Sequence, residues 1–134
     1  MRVSKEKAAE SRQRIIEAAG RLFRENGFDG ISVADIMAAA DLTHGGFYGH
    51  FESKDALAAQ ASRTAFDKSV ESWERLTANA GNPYETLVEH YLRPRHAADP
   101  GTGCDLATLG ADAARQGKPV RDTFGDGLNR LVDI

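Results

Sequence analysis

The sequence has few of the features that mark several large classes of protein. Its 134 residues include a single cysteine, Cys104, which excludes an internal disulfide framework and a multi-cysteine zinc site. Its uncharged runs are too short and too polar to form a membrane-spanning helix. The N-terminal segment lacks the apolar core of a secretory signal, so we expect a cytoplasmic protein with no membrane partner.

The composition is that of an ordinary soluble globular chain, with 41% hydrophobic and 28% charged residues. The net charge is −3, but residues 1–24 carry seven basic and three acidic side chains, whereas residues 55–134 carry nine basic and twelve acidic ones. This uneven distribution indicates either an anionic partner at the N-terminal end or the ordinary alternation of charges on helix surfaces.

The hydrophobic periodicity is helical nearly everywhere, and no segment alternates as a strand does, so we predict an all-α fold. The first helix carries one apolar stripe, which consists of Ile15, Ile16, Ala19, Leu22 and Phe23. It is expected to end at Gly27, because glycine tolerates the left-handed backbone that commonly follows a helix. Phe28 is then expected to pack against Phe23.

Two short helices and a tight turn follow. Ser32 and Asp35 have the spacing of a capping box, which predicts a second helix that ends at residue 39 or 40. Thr43 is predicted to cap a third helix that runs to about His50. Gly45 lies in its first turn, where a small residue allows a close approach to a partner surface.

The rest of the chain is predicted to form further helices joined by turns. A fourth helix begins after Ser53 and continues to about Ala80, and a fifth is capped by Asn82 and ends near Arg93, before Pro94. A loop follows at residues 98–103. The last two helices are predicted at about Cys104–Gln116 and from Pro119 onward.

Two short helices joined by a tight turn are typical of the helix-turn-helix, whose second helix enters the major groove of DNA with its N-terminus first. The first residues of that helix must therefore be small or able to form hydrogen bonds. The predicted base-reading residues are Thr43, His44 and Gly45. The predicted phosphate contacts are Ser32, Tyr48, His50 and Lys54, since phosphate oxygens need donors on both sides of the groove.

The segment ISVADIMAAADLTHGGFYGHFESKDAL, from Ile31 to Leu57, and the preceding RQRIIEAAGRLFRENGFDG resemble the DNA-binding domain of the tetracycline-repressor family of transcriptional regulators. The resemblance covers about residues 10–60. It departs at His44, where the family most often has a basic or polar residue, and at Asp41, which replaces a frequent turn glycine. It implies a helix-turn-helix domain at residues 1–52 and a helical effector-binding and dimerisation domain at residues 53–134.

The resemblance further implies a homodimer that binds double-stranded operator DNA, usually as a repressor, and is released by a small-molecule effector. Family members are commonly longer and form their dimer interface from the last two helices. The final predicted helix is still amphipathic at Ile134, so we expect the dimer helices to be absent from this chain.

Five residues are candidates for an effector cavity: Phe66, Trp73, Tyr91, Cys104 and Phe124. The alternative is that these aromatic residues form the core. Cys104 is either a small buried residue or a sensor of oxidants or electrophiles, since a helix N-terminus favours the thiolate.

No recognisable nucleophile motif, phosphate-binding glycine loop or metal-ligand spacing is present. We therefore predict that the protein is not an enzyme and uses no metal or cofactor. The remaining alternative is an all-α protein-interaction module that uses its helix-turn-helix for protein contacts.

Overall fold

The structure is a computed structural model that describes residues 4–134, without the side chains of residues 96 and 97. The described residues contain no strand, which confirms the all-α fold class. None of the helices in this part of the chain is both long and apolar enough to cross a membrane. The elements are α1 (Lys5–Asn26), α2 (Val33–Ala39), a 3₁₀ helix (His44–Gly49), α3 (Lys54–Thr77), α4 (Pro83–Tyr91), α5 (Pro94–Ala98), a 3₁₀ turn (Pro100–Thr102), α6 (Asp105–Ala113) and α7 (Lys118–Val132).

The first helix begins and ends at local signals. The Ser4 side chain accepts a hydrogen bond from the backbone N–H of Lys7 at 3.2 Å. Gly27 ends the helix with a φ of 80°, and its N–H donates to the carbonyl of Phe23 at 2.7 Å. The Phe23 and Phe28 ring centroids lie 5.2 Å apart. The predicted glycine stop and the predicted aromatic contact are therefore confirmed.

The predicted capping box of α2 is also confirmed. The Ser32 hydroxyl accepts from the N–H of Asp35, and the Asp35 carboxylate accepts from the N–H of Ser32. The turn after α2 contains Asp41, the one non-glycine residue with a positive φ, 59°, among the described residues. An aspartate tolerates this region better than most residues, so the turn forms without a glycine.

The third predicted helix is present, but residues 44–49 form a 3₁₀ helix and the predicted Thr43 cap is wrong, because its side chain makes no capping hydrogen bond. Some boundaries also differ from the predictions. Pro94 begins the short helix α5, where no helix was predicted, α3 ends at Thr77 before the predicted Ala80, and α6 ends at Ala113 before the predicted Gln116. Proline suits the first turn of a helix as well as the position after one, so the residue type alone did not distinguish the two.

The core is organised around a row of aromatic rings that crosses the molecule. The Phe28 ring lies 6.2 Å from the Phe124 ring of α7, which lies 5.2 Å from the Phe66 ring of α3. The helices α3 and α7 approach closely here, because a Cβ atom on Gly127 would lie 2.3 Å from the Phe66 ring. Glycine at residue 127 therefore permits this packing.

We expect Gly127→Ala to lower the free energy of unfolding by about 2 kcal/mol, because the added methyl group overlaps the Phe66 ring. Gly125→Ala, in the same helix, is the matched control. A Cβ atom there meets nothing within 4 Å, so this change is expected to stabilise the protein by up to about 1 kcal/mol. Urea unfolding of both variants tests the prediction, and equal effects would contradict it.

Candidate nucleic-acid interface and ligand cavity

The 3₁₀ helix presents small and polar groups to solvent at its N-terminal end. Thr43, His44 and Gly45 are all exposed. A Cβ atom on Gly45 would meet nothing within 4 Å, so the interior of the protein does not require a glycine at this position. These three predicted base-reading residues therefore share one accessible surface.

Two phenylalanines hold this helix against the core. Phe47 is fully buried, Phe51 is buried, and their rings stack with centroids 5.9 Å apart. Tyr48 packs edge-on against Phe47 at 5.1 Å, yet it is 72% exposed. Phe47 thus holds one side of the Tyr48 ring, while most of the Tyr48 surface remains accessible to a partner.

His50 ends the 3₁₀ helix and Lys54 begins α3, and both are half-buried. Lys54 is the first residue of α3, directly after Ser53, whose hydroxyl accepts from the N–H of Ala56 at 3.0 Å. A lysine is unfavourable at this end of a helix, because the N-terminus already carries partial positive charge. The same combination of a cation and free N–H groups favours an anion such as phosphate.

Ser32 lies on the exposed surface of the turn before α2, but its hydroxyl is already engaged. The hydroxyl donates to the Asp35 carboxylate at 2.7 Å, and the backbone N–H of Ser32 donates to the same carboxylate. Both hydrogen bonds lower the pKa of Asp35. The neighbouring negative charge also disfavours a phosphate. The geometry therefore gives no support to the predicted Ser32 contact.

Two arginines of α1 reach this region, and the sequence analysis assigned a role to neither. Arg14 donates to the carbonyl of Ala40 and lies 3.9 Å from the Asp41 carboxylate, so it holds the turn after α2. The Arg12 guanidinium carbon lies 4.8 Å from the centroid of the Phe51 ring. No local sequence signal connects residues so far apart in the chain.

A cavity of about 430 Å³ lies between α1, α3, α4 and the turn that precedes α6. Three of the five predicted effector residues line it: Trp73, Tyr91 and Cys104. The Trp73 and Tyr91 rings pack edge-on with centroids 6.5 Å apart. Phe66 and Phe124 do not line this cavity. They are buried against each other in the core, so this cavity gives no support to their predicted place in an effector site.

Tyr91 and Cys104 interact directly on the cavity wall. Burial raises the pKa of Tyr91 to about 12, and the adjacent Cys104 side chain adds to this rise through its charge and a hydrogen bond. The phenol is therefore a neutral hydrogen-bonding group at physiological pH. Together the two side chains form a wall that is mainly apolar but has polar atoms in fixed positions.

Arg24, which also lines the cavity, belongs to a buried ion pair that had not been predicted from the sequence. Arg24 Nη1 lies 3.0 Å from Asp105 Oδ1, and Arg24 Nε donates to the carbonyl of Gly101 at 2.9 Å. Burial raises the pKa of Asp105, against the opposing effects of Arg24 and of a hydrogen bond from Ser62. This pair joins α1 to the start of α6. Among the described residues, no group of histidine, cysteine and acidic side chains is arranged to hold a metal ion.

Comparisons with known proteins point to one family. The model described as "Bacterial regulatory proteins, tetR family" matches residues 15–61. The chain is 29% identical over 122 residues to the HTH-type transcriptional repressor DhaR of Mycobacterium sp. (strain GP1), an alignment that covers 91% of this chain and 60% of the relative. It is 35% identical over 80 residues to the HTH-type transcriptional regulator AcrR of Shigella flexneri, covering 60% of this chain and 32% of that protein.

The fold is also similar to that of a solved regulator structure. A crystal structure of a TetR-family transcriptional regulator from Agrobacterium tumefaciens superposes with a TM-score of 0.82 at 20% identity, over 94% of this chain and 67% of that one. The chain spans about three fifths of DhaR and about a third of AcrR. These family and relative names are those of regulators.

We expect Asp105→Ala to lower the free energy of unfolding by about 3 kcal/mol, because it leaves the buried Arg24 guanidinium without its partner. Asp67→Ala is the control. It breaks the exposed pair between Asp67 and Arg130, and we expect a loss of less than about 1 kcal/mol. Chemical unfolding at neutral pH measures both values, and similar losses would show that Arg24 does not depend on Asp105.

Proposed function

We propose that the protein is a DNA-binding transcriptional regulator, because residues 15–61 match the model of the tetR family of bacterial regulatory proteins and 91% of the chain aligns with the repressor DhaR. Its 3₁₀ helix enters the major groove, and a small ligand in the cavity controls its release from DNA. One observation carries the proposal: the segment from Thr43 to Phe51 buries Phe47 and Phe51 while it exposes the residues from Thr43 to Gly45 together with Tyr48.

The base-reading role is supported by the shape of the N-terminal end of the 3₁₀ helix. A Cβ atom on Gly45 would face open space, so packing within the described part of the chain does not require a glycine there. A surface without a Cβ atom lets the backbone approach base edges closely. The neighbouring Thr43 and His44 supply groups that donate and accept hydrogen bonds, as direct readout in the major groove requires.

The phosphate-binding role rests on Tyr48, His50 and Lys54, which lie farther from the end of the helix that faces the bases. The Tyr48 hydroxyl belongs to an exposed ring held by Phe47, and Lys54 adds a positive charge at the N-terminus of α3. Such contacts fix the orientation of the protein on the duplex but do not distinguish sequences.

The finer parts of the proposal are repression, a homodimer that binds a symmetric operator, and a cytoplasmic location. The name of DhaR as a repressor supports the first part, and the family resemblance supports the others. The ligand is proposed to contact Trp73 and Tyr91, since these rings line a cavity whose volume suits a small organic molecule.

A thiol switch at Cys104 is a second candidate for the control of DNA release. The thiol lies on the cavity wall beside Tyr91, where an electrophilic ligand would meet it. If it operates, a small alkylating reagent abolishes DNA binding by the protein but not by Cys104→Ser. Equal inhibition of both proteins excludes this candidate.

The proposed distinction between residues that read bases and residues that bind phosphates is testable. We expect Tyr48→Phe and Lys54→Ala to weaken binding to operator and scrambled duplexes about equally, because phosphates are present in every sequence. Lys54→Ala is also expected to reduce the slope of log affinity against log salt concentration by about one unit. His44→Ala is expected to cost about 1–3 kcal/mol at the operator alone.

An operator for this experiment comes from selection of bound duplexes from a random pool. Each variant is titrated against that duplex and a scrambled one at several salt concentrations. If His44→Ala weakens both complexes equally while Lys54→Ala alters sequence preference, the proposed orientation of the helix is wrong. Absence of salt-dependent binding to any duplex favours the protein-interaction alternative.

Trp73 is the single tryptophan of the chain, so its fluorescence reports on the cavity. We expect any compound that releases the protein from its operator to change this fluorescence over the same concentration range. Tyr91→Ala is expected to raise the required concentration at least about tenfold, the equivalent of about 1.4 kcal/mol. Tyr84→Ala is the control, since Tyr84 is 79% exposed and does not line the cavity. Equal responses of the two variants would place the ligand elsewhere.

A further inference from the structure

Arg12 differs from its neighbours on α1 in having no carboxylate partner. Arg14, Arg21 and Arg24 all lie within ion-pair distance of an aspartate or a glutamate. Within the described part of the chain, no ion pair or hydrogen bond of the Arg12 side chain is present. Its one defined contact is with an aromatic ring, as the guanidinium carbon lies 4.8 Å from the centroid of Phe51. Its charge is therefore held in place but not neutralised.

The position of that ring is informative. Phe51 lies three residues after Tyr48 and three residues before Lys54, the two residues proposed to contact phosphates on either side of it. The same ring stacks on Phe47, which anchors the 3₁₀ helix. The helix α1 thus brings a fourth positively charged or donor group to the surface already formed by Tyr48, His50 and Lys54.

We propose that Arg12 is a further phosphate-binding residue of the DNA interface, with the Phe51 ring as its platform. This inference rests on the proposed DNA-binding function. A guanidinium stacked on a ring keeps the N–H groups at its planar edge free. These N–H groups match two oxygens of one phosphate, so the stacking contact orients the donor pair before DNA arrives.

The alternative is that Arg12 only stabilises the fold through its contact with Phe51. The two roles predict different salt dependence. A stabilising contact contributes equally at every salt concentration once the protein is folded, whereas a phosphate contact releases counterions from DNA. The slope of log affinity against log salt concentration therefore separates them.

The test uses Arg12→Gln, which keeps part of the side-chain stem and a planar amide over the ring but removes the charge. Binding to a 30-base-pair random-sequence duplex is measured by fluorescence anisotropy between about 50 and 200 mM KCl, a range over which phosphate contacts dominate the salt dependence. We expect the slope to fall by about 0.9 per protomer and the affinity to fall about five- to tenfold near 0.1 M salt. The loss should be the same on a selected operator.

Arg75→Gln is the matched control for the loss of one positive charge. Arg75 is exposed in the last turn of α3, without an ion pair among the described residues, and it lies about 32 Å along that helix from Lys54. Its slope should equal that of the unsubstituted protein. Arg12→Lys, which keeps the charge, is the second variant, and it should retain most of the slope. Circular dichroism establishes that each variant is folded.

The outcomes are distinct. An unchanged slope in Arg12→Gln, alongside a reduced slope in Lys54→Ala, overturns the Arg12 inference and leaves the proposed function standing. A reduction of the slope in Arg12→Lys as large as in Arg12→Gln also overturns the inference, because the positive charge at residue 12 would then not account for the salt dependence. If the unsubstituted protein binds no duplex at any salt concentration, the proposed function itself fails.

Discussion

The row of aromatic rings from Phe23 through Phe28 and Phe124 to Phe66 is the constraint on which the rest of the structure depends. It runs from α1 through the turn that follows to α7 and α3, with centroid separations of 5.2, 6.2 and 5.2 Å. Large rings packed edge to face bury much apolar surface and allow few alternative arrangements. The row therefore sets how α1 lies on α3 and α7.

This packing makes one continuous hydrophobic core across the predicted boundary between residues 1–52 and 53–134. The boundary remains a prediction about function, because the buried residues of the two parts belong to the same cluster. Helix α1 contributes to both proposed sites from opposite ends. Arg12 lies over Phe51 beside the 3₁₀ helix, and Arg24 lines the cavity and pairs with Asp105.

The two arginines are twelve residues apart on one continuous helix, which corresponds to about 18 Å. A helix of this kind is stiff along its axis, so the cavity and the proposed DNA surface share a rigid element. Asp112 strengthens the connection, since its carboxylate accepts a hydrogen bond at 2.7 Å from the N–H of Phe28 in the turn after α1. Helix α6 thus holds α1 at Arg24 and again at this turn.

Sequence reasoning worked well where the signal was local. The caps at Ser32, Ser53 and Asn82 lie within three residues of the N–H groups that they bind, so residue type and spacing are sufficient to identify them. It worked less well for residues 44–49, where helix type depends on how Phe47 is buried. Propensity could not decide this, because three glycines give the segment little preference of its own.

The aromatic candidates show a different limit. The sequence left Phe66, Trp73 and Phe124 as either cavity or core residues, because an apolar pattern does not distinguish a ring that fills the core from one that lines a cavity. That distinction depends on the neighbour across the helix interface. Phe66 lies against Gly127 of α7, whereas Trp73 faces Tyr91 and open volume. Both situations produce the same apolar pattern along α3.

The sequence by itself determined the fold class, most helix starts, the glycine stop after α1 and the helix-turn-helix segment, because these depend on hydrogen bonds and apolar spacing over a few residues. Only the tertiary structure decided which residues meet from distant parts of the chain. Arg24 and Asp105 are separated by 81 residues, and Arg12 meets the ring of Phe51, which lies between the 3₁₀ helix and α3. Such contacts follow from the rotation and crossing of packed helices, which are set by the shapes of all the buried side chains together.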